Sequence, residues 1–412
     1  MPRELSLFLA GDALITRPWS HLHDADFLSL IDTIRGADVA IANLETVIHE
    51  FKGHAQADSG GTYTTSSPQI AAELKWAGFD MLAHANNHTF DYGASGVLET
   101  IAHVEGEGLI IAGSGKDLQN ARAPRYFQCA GGAVALVAMA SDFVPYGKAS
   151  RSRPDVHGRP GVNPLAIART QTVQFRPLEA ASRSRIIGGL LHRVPGLTDL
   201  TSLKFSISWK HEPVSSDLNA NLDVISEAAS NADIVVVSVH AHRQGRWLRN
   251  FAHQAIERGA RVVLVHGPHH IGGIELYRGT PIFYSMGDFA YEAEFVSRFP
   301  AEAYEQLGLA ADASISELAA ARGAARSGLL RDRRAFEGFA ALISSGQRRV
   351  KRVLLLPIDL RFDSVDGSRG RPHAAPPRLG SQIIKTVADR SRKFGTRIHY
   401  DAKENLGEVI FR

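Results

Sequence analysis

Short apolar runs recur along the chain, and each breaks off at side chains able to bind a cation or carry a proton. "LSLFLAGD" (5–12) ends in Gly-Asp, "ADVAIANLE" (37–45) on Asn43 and Glu45, and "GFDMLAHANNH" (78–88) on Asn87 and His88. "ADIVVVSVHAH" (232–242) ends on His240 and His242, "GARVVLVHGPHH" (259–270) on His266 and His269, and "PIFYSMGDF" (281–289) on Asp288. Runs this short and uninterrupted predict buried strands. "SPQIAAELKWAG" and "NFAHQAIER", lying among them, are spaced as helices. Strands alternating with helices predict an α/β or layered α/β/α domain. In such a domain, loops from several strand ends converge on a ligand site. Packing alone does not explain so many strand ends bearing Asp, Glu, Asn or His.

Other stretches read differently. Residues 145–232 open with "YGKASRSRPDVHGRPGVNPL", rich in Pro, Gly and Arg, which predicts an inserted loop or lid; "LEAASRSRIIGGLLHRV" within it looks helical. Residues 300–345 are Ala-rich and helical in composition, "KRVLLLPIDLRF" returns to strand and "QIIKTVADRSRKF" to helix. The expected organisation is one domain over 1–412, with an insertion at about 145–232 and helix and strand additions at about 300–412.

Composition narrows the function only a little. With 412 residues, 44% hydrophobic and 22% charged, the chain has the material for a large soluble core. A net charge of +3 gives no sign of a nucleic-acid binder. The basic excess is local: eight Lys/Arg against two acidic residues from Lys148 to Arg185 suit an acidic substrate, or simply a solvated loop. The single cysteine, Cys129, excludes an intrachain disulfide and allows a reducing compartment. The apolar part of "MPRELSLFLAGDALITRPW" is too short to span a membrane and is interrupted by Asp12. The expectation is a soluble, cytoplasmic protein without stable membrane association.

A divalent cation needs several oxygen and nitrogen ligands held together, and Asp12, Glu45, Asn87, His240, His266 and His269 are the candidates. Alone, Gly11-Asp12 reads as a turn or cap, and Asn43-Leu44-Glu45 is no stronger. His266 and His269 flank a Gly-Pro turn, which would aim both imidazoles at one point. His240 and His242 alternate along a strand and so share a face. In "HANNHTFDYG" (84–93), adjacent Asn and His can serve as ligand and proton donor, with Asp91 either orienting His88 or capping the helix "GASGVLETIAHV". A bound cation lowers the pKa of a coordinated water and polarises a carbonyl or phosphoryl oxygen; His88 would then protonate the leaving group.

"GD" (11–12), "NLE" (43–45), "NNHTFDYG" (86–93), "GRPGVNPL" (158–165), "FAHQAIERGA" (251–260), "HGPHH" (266–270) and "GIELYRGTPIFYSMGDF" (273–289) together resemble the bacterial CapA (poly-γ-glutamate capsule synthesis) family, a branch of the calcineurin-like metallophosphoesterases. The resemblance implies a four-layer α/β/β/α sandwich with a metal site at its strand ends. It puts Asp12, Glu45, Asn87, His240, His266 and His269 at metal-holding positions and His88 at that of the catalytic histidine. Three departures stand out. Leu14 occupies the histidine position of the superfamily's Asp-x-His, Val265 replaces a usual glycine, and Asp288 replaces the asparagine of Gly-Asn-Phe. The missing ligand at 14 allows one metal, or one tight and one weak; Mn, Fe, Zn and Ca all remain open.

Three functions compete. The first is a hydrolase acting on a peptide, γ-glutamyl amide or phosphoester, with a small acidic or peptide substrate. The second is a Cα epimerase, since a relative in this family is a lasso-peptide epimerase; His88 with Asp91, and His242 or His269 with Asp288, would supply two bases. The third is a non-catalytic polyglutamate- or peptide-binding protein. Nothing in the sequence sets the oligomeric state.

Overall fold

The computed structural model describes residues 4–177, 203–325, 328–346, 349–365 and 367–411. The chain divides into two compact units, Met1–Ala166 with Ser215–Arg412, and Ile167–Val214.

Two sheets make the first unit. The larger runs, strand by strand, Arg397–Asp401, Leu406–Ile410, Arg349–Asp359, Glu337–Gly346, Leu5–Leu14, Val39–Leu44, Met81–Ala83 and Ile110–Ala112. Its last four strands are parallel, so their C-terminal ends lie along one edge. The smaller runs Ile274–Tyr277, Thr280–Tyr284, Val262–His266, Ile234–His240, Gly132–Ala140 and Arg125–Cys129, with the middle four strands parallel.

The strand period of two sorts the core. Leu7, Leu9, Ile41 and Met81 of the larger sheet mesh with Val134, Leu136, Val236, Leu264 and Phe283 of the smaller. The alternate positions Phe8, Ala10, Ala42 and Leu82 pack instead against Phe27, Leu30, Ile31, Ile70 and Leu74 of the helices Ala25–Arg35 and Gln69–Ala77. Helices Ser215–Asn231 and Arg246–Glu257 lie on the smaller sheet. Burial on both faces is why these parallel strands read as unbroken apolar runs rather than alternating ones. Phe8 is fully buried in edge-to-face contact with Phe79 and Phe289, at centroid distances of 6.3 and 6.0 Å. Truncating such a ring costs about 3–5 kcal/mol.

Two expectations need correction. "PIFYSMGDF" is not one strand. Thr280–Tyr284 belongs to the smaller sheet, and Asp288–Tyr291 pairs with Leu5–Leu14 in the larger. The chain crosses between sheets through Ser285 and Gly287, both left-handed with φ of 82° and 75°. A Cβ on Gly11 would lie 2.0 Å from the Gly287 carbonyl oxygen, so only glycine permits this crossing so close to the strand. Residues 300–345 are not helical throughout. Helices Ala301–Gln306 and Ile315–Ala324 are followed by the strand Glu337–Gly346. That strand pairs antiparallel with both Leu5–Leu9 and Arg349–Asp359. Two partner strands override the helical preference of its alanines.

The second unit is a two-stranded antiparallel ribbon, Ile167–Pro177 with Leu203–Pro213. Its register sets Gln171 beside Trp209, whose side chain is exposed. The expected helix at 178–194 lies outside the described residues. Among the described residues, no helix is long and apolar enough to cross a membrane.

Candidate metal centre

Register brings several of the candidate residues together. In the larger sheet Asp12 stands between Asn43 and Asp288 on neighbouring strands. In the smaller sheet His240 stands beside His266. A link between the sheets closes the cluster: the Gly267 N–H donates to Asp12 Oδ2 at 2.9 Å, and His266 Nδ1 lies 3.0 Å from Asp12 Oδ1.

Around Asp12 the ligating atoms form two groups, Asp12–His269–Asp288 and Glu45–His240–His242, each spanning less than 4.8 Å between donor atoms. His269, itself at φ 56°, holds Asp288 Oδ1 with its Nδ1 at 2.8 Å and turns its Nε2 toward Glu45 Oε1 at 3.8 Å. His240 Nε2 is 3.6 Å from the same glutamate oxygen and 3.0 Å from His242 Nε2. His242 gets there from beyond the strand Ile234–His240, not by alternation along it. Its backbone N–H is held by Asp142 Oδ2 at 3.0 Å.

The electrostatics follow from burial. Burial alone would raise the Asp12 carboxyl, but the His266 hydrogen bond and the charges of His266, His240 and His269 hold it far below its ordinary value. Burial, then the charge of Asp12, pushes Glu45 well up. Burial raises Asp288 to about 6 despite His269, and it drives His240 down. Burial would lower His269 as well, yet the carboxylates of Asp288, Glu45 and Asp12 raise it to about 10. Four buried oxygens of the cluster have no hydrogen-bond partner: Asn43 Oδ1, both carboxylate oxygens of Glu45 and Asp288 Oδ2. Buried oxygens are rarely left so, and negative oxygen among imidazole nitrogens is the donor set a divalent cation satisfies.

The Asn-Asn-His turn is tied to the strand end before Glu45 by Asn86, whose Nδ2 donates to the Leu44 carbonyl at 2.7 Å. His88 Nδ1 lies 2.8 Å from Asp91 Oδ2, whose carboxylate also accepts the N–H groups of Gly60 (2.8 Å) and Thr64 (3.1 Å). Asp91 does not cap the following helix; Tyr92 holds that position without a side-chain bond. Asn87 donates to the Gly60 carbonyl at 2.7 Å, leaving its Oδ1 free.

The structure adds Asn43 and Asp142 to the cluster. Asn43 Nδ2 donates to Asp12 Oδ1 at 2.8 Å and stands 3.5 Å from His240 Nδ1. Asp142 follows the strand Gly132–Ala140, whose sequence "GGAVALVAMASD" has the same apolar run ending in an acid as the other strand ends. Leu14, at the departed histidine position, is buried in the apolar layer with Phe27 and Phe289.

The bacterial capsule synthesis protein PGA_cap family model matches residues 6–293. An uncharacterized protein, y4sH, of Sinorhizobium fredii (strain NBRC 101917 / NGR234) is 29% identical over 97% of this chain and 92% of its own length. The PGA biosynthesis protein CapA of Bacillus subtilis (strain 168) is 26% identical over 65% of this chain and 57% of its own. A probable polyglutamine synthesis accessory protein of Mycobacterium tuberculosis (strain ATCC 25618 / H37Rv) is 27% identical over 62% of this chain and 56% of its own.

Proposed function

The chain belongs to the bacterial capsule synthesis protein PGA_cap family, and we propose that it is a metal-dependent hydrolase of a peptide, γ-glutamyl amide or phosphoester. The order of helices, sheet, sheet and helices supports reading the fold as the calcineurin-like four-layer sandwich. One observation carries the reading: Glu45, fully buried, has two unpartnered oxygens facing imidazoles too distant for hydrogen bonds. Such a carboxylate is stable as an anion only beside a cation.

Asp12, Glu45, Asn87, His240, His266 and His269 would hold the ion, with Asn43, Asp288 and His242 within reach of it. The ion supplies Lewis-acid polarisation of the substrate oxygen and a water acidified toward neutral pH. The protein supplies geometry and protons. Asp91, fixed by two backbone N–H groups, holds His88 through Nδ1, which leaves Nε2 to protonate the leaving group. The Asp12–Gly267 bond keeps the two sheet edges in register so that ligands from both converge.

Cα epimerisation is the second reading. The observation favouring it is a second imidazole–carboxylate pair, His269–Asp288, at the same 2.8 Å spacing as His88–Asp91. Solvent deuterium appearing at Cα without cleavage would select it over hydrolysis.

Elemental analysis of purified wild type, Asp12→Ala and His269→Ala tests the site. About one or two equivalents of divalent metal in wild type, lost in both variants, is the expected result. Metal absent from wild type, or unmoved by either change, would leave only a binding protein.

A further inference from the structure

A second cavity, independent of the metal reading, opens beside the helix Ser215–Asn231. Its volume is about 480 Å³, within the range of small-molecule sites. The lining is divided in character. Leu118, Pro124 and Val224 make it apolar, while Arg122, Arg151 and Glu227 bring charge.

Arg122 is the unusual member. It is only 9% exposed, a degree of burial that arginine seldom reaches without full pairing. Its Nε donates to Asn163 Oδ1 at 3.1 Å and its Nη2 to Asp217 Oδ1 at 3.4 Å, a long contact. Nη1 makes no hydrogen bond among the described residues. Asp217 is not Arg122's alone, because it also accepts from Lys148 Nζ at 3.5 Å and from the Ala166 N–H at 3.3 Å. Burial lowers the Arg122 guanidinium, Asp217 raises it, and the nearby charge of Arg151 lowers it further. Arg151 is exposed and pairs with no acid among the described residues. Two under-neutralised guanidinium forks at one cavity make a carboxylate receptor. Asp117 is already committed to the Asn120 N–H and the Ser152 hydroxyl, so Glu227, exposed on its helix, is the lining acid left for a cation.

We propose that this cavity binds a zwitterionic α-amino acid with an aliphatic side chain, its carboxylate on Arg122 and Arg151, its ammonium at Glu227 and its side chain against Leu118, Pro124 and Val224. The probe is L-leucine, titrated calorimetrically into the full-length protein. Isocaproate lacks the ammonium and isoamylamine lacks the carboxylate. Leucine is expected to bind, with both analogues weaker by roughly tenfold or more. Arg151→Ala and Glu227→Gln, both exposed and unlinked to the core, should each weaken leucine by a similar factor while melting temperature and metal content stay unchanged. Arg122→Lys, which keeps the charge but not the fork, should weaken it as well. Absence of leucine binding at about 10 mM, weaker than almost any specific site, would overturn the proposal. So would unchanged binding in Arg151→Ala and Glu227→Gln, or isocaproate binding as tightly as leucine.

Discussion

Glu45 and Glu275 are both buried glutamates, one at the converging strand ends and one in the edge strand Ile274–Tyr277 of the smaller sheet. Their surroundings could hardly differ more. Glu275 accepts from Arg249 Nη2 at 2.7 Å and Nε at 3.1 Å, and from the Tyr284 hydroxyl at 2.8 Å, with His253 Nε2 at 3.0 Å. His253 is fixed in turn by stacking on Tyr277 at 3.7 Å. Burial would raise the Glu275 carboxyl, but the hydrogen bonds from Arg249, Tyr284 and His253 bring it below its ordinary value. Glu45 has none of this, and burial with Asp12 pushes it up. A folded protein keeps an unsatisfied buried carboxyl at a cost, which is met either by protonation or by a cation that completes it. Glu275 is completed by its own chain, whereas among the described residues nothing lies within hydrogen-bond distance of the Glu45 carboxylate oxygens.

The sharpest way to break this contrast is Glu45→Gln. Bound metal, measured by elemental analysis, should fall to near zero. The metal-free variant should melt higher than metal-free wild type, because the cost of burying an acid whose oxygens no hydrogen bond satisfies has been removed. A lower melting temperature would mean that Glu45 is held by the fold after all, and the two glutamates would be alike. Next in size is His88→Ala, which should lower turnover by about 10²–10⁴-fold while metal content stays nearly constant. Loss of metal in that variant would reassign His88 as a ligand.

Much of this was legible in the sequence, for an identifiable reason. Parallel strands buried on both faces leave unbroken apolar runs, and their C-terminal ends share an edge, so the runs ending at Asp12, Glu45, His240 and His266 mark strand ends in the sequence itself. The sheet crossing at Ser285–Gly287 was hidden because hydrophobicity does not record which sheet a strand joins. Asn43 is visible as a strand-end residue, but its role comes from lying beside Asp12 on a neighbouring strand, a fact of register the sequence does not carry. The strand Glu337–Gly346 was masked by its alanines, since its pairing partners are distant in sequence or follow it. His242 does meet His240, but a loop beyond the strand end delivers it rather than alternation along the strand.

Glu275→Gln sharpens the contrast from the structural side. It weakens charge-assisted bonds from Arg249 and His253 and should destabilise the protein by about 2 kcal/mol, with metal content and turnover unchanged. A change in metal content would show that the edge cluster and the strand ends are coupled, against their separate roles.

The smallest effect is the pH dependence of these two differences, and its signs are fixed by the shifts. The ordinary glutamate value is 4.5, and Glu275 lies below it in the fold. Its contribution is therefore fully present above that value and is lost as pH falls through the lower folded one. The melting deficit of Glu275→Gln should hold steady from neutral pH to about 5 and close on further acidification. Glu45 lies above its ordinary value in the metal-free fold. The penalty of ionising it grows as pH rises past the unfolded value, so the excess stability of metal-free Glu45→Gln should increase with pH. Two glutamine variants, melted in parallel without metal, should thus diverge from wild type in opposite directions at neutral pH and converge on it in acid. If both fell on the same side of wild type at neutral pH, the unpartnered oxygens of Glu45 would have a partner within the chain, and the case for a cation there would fail.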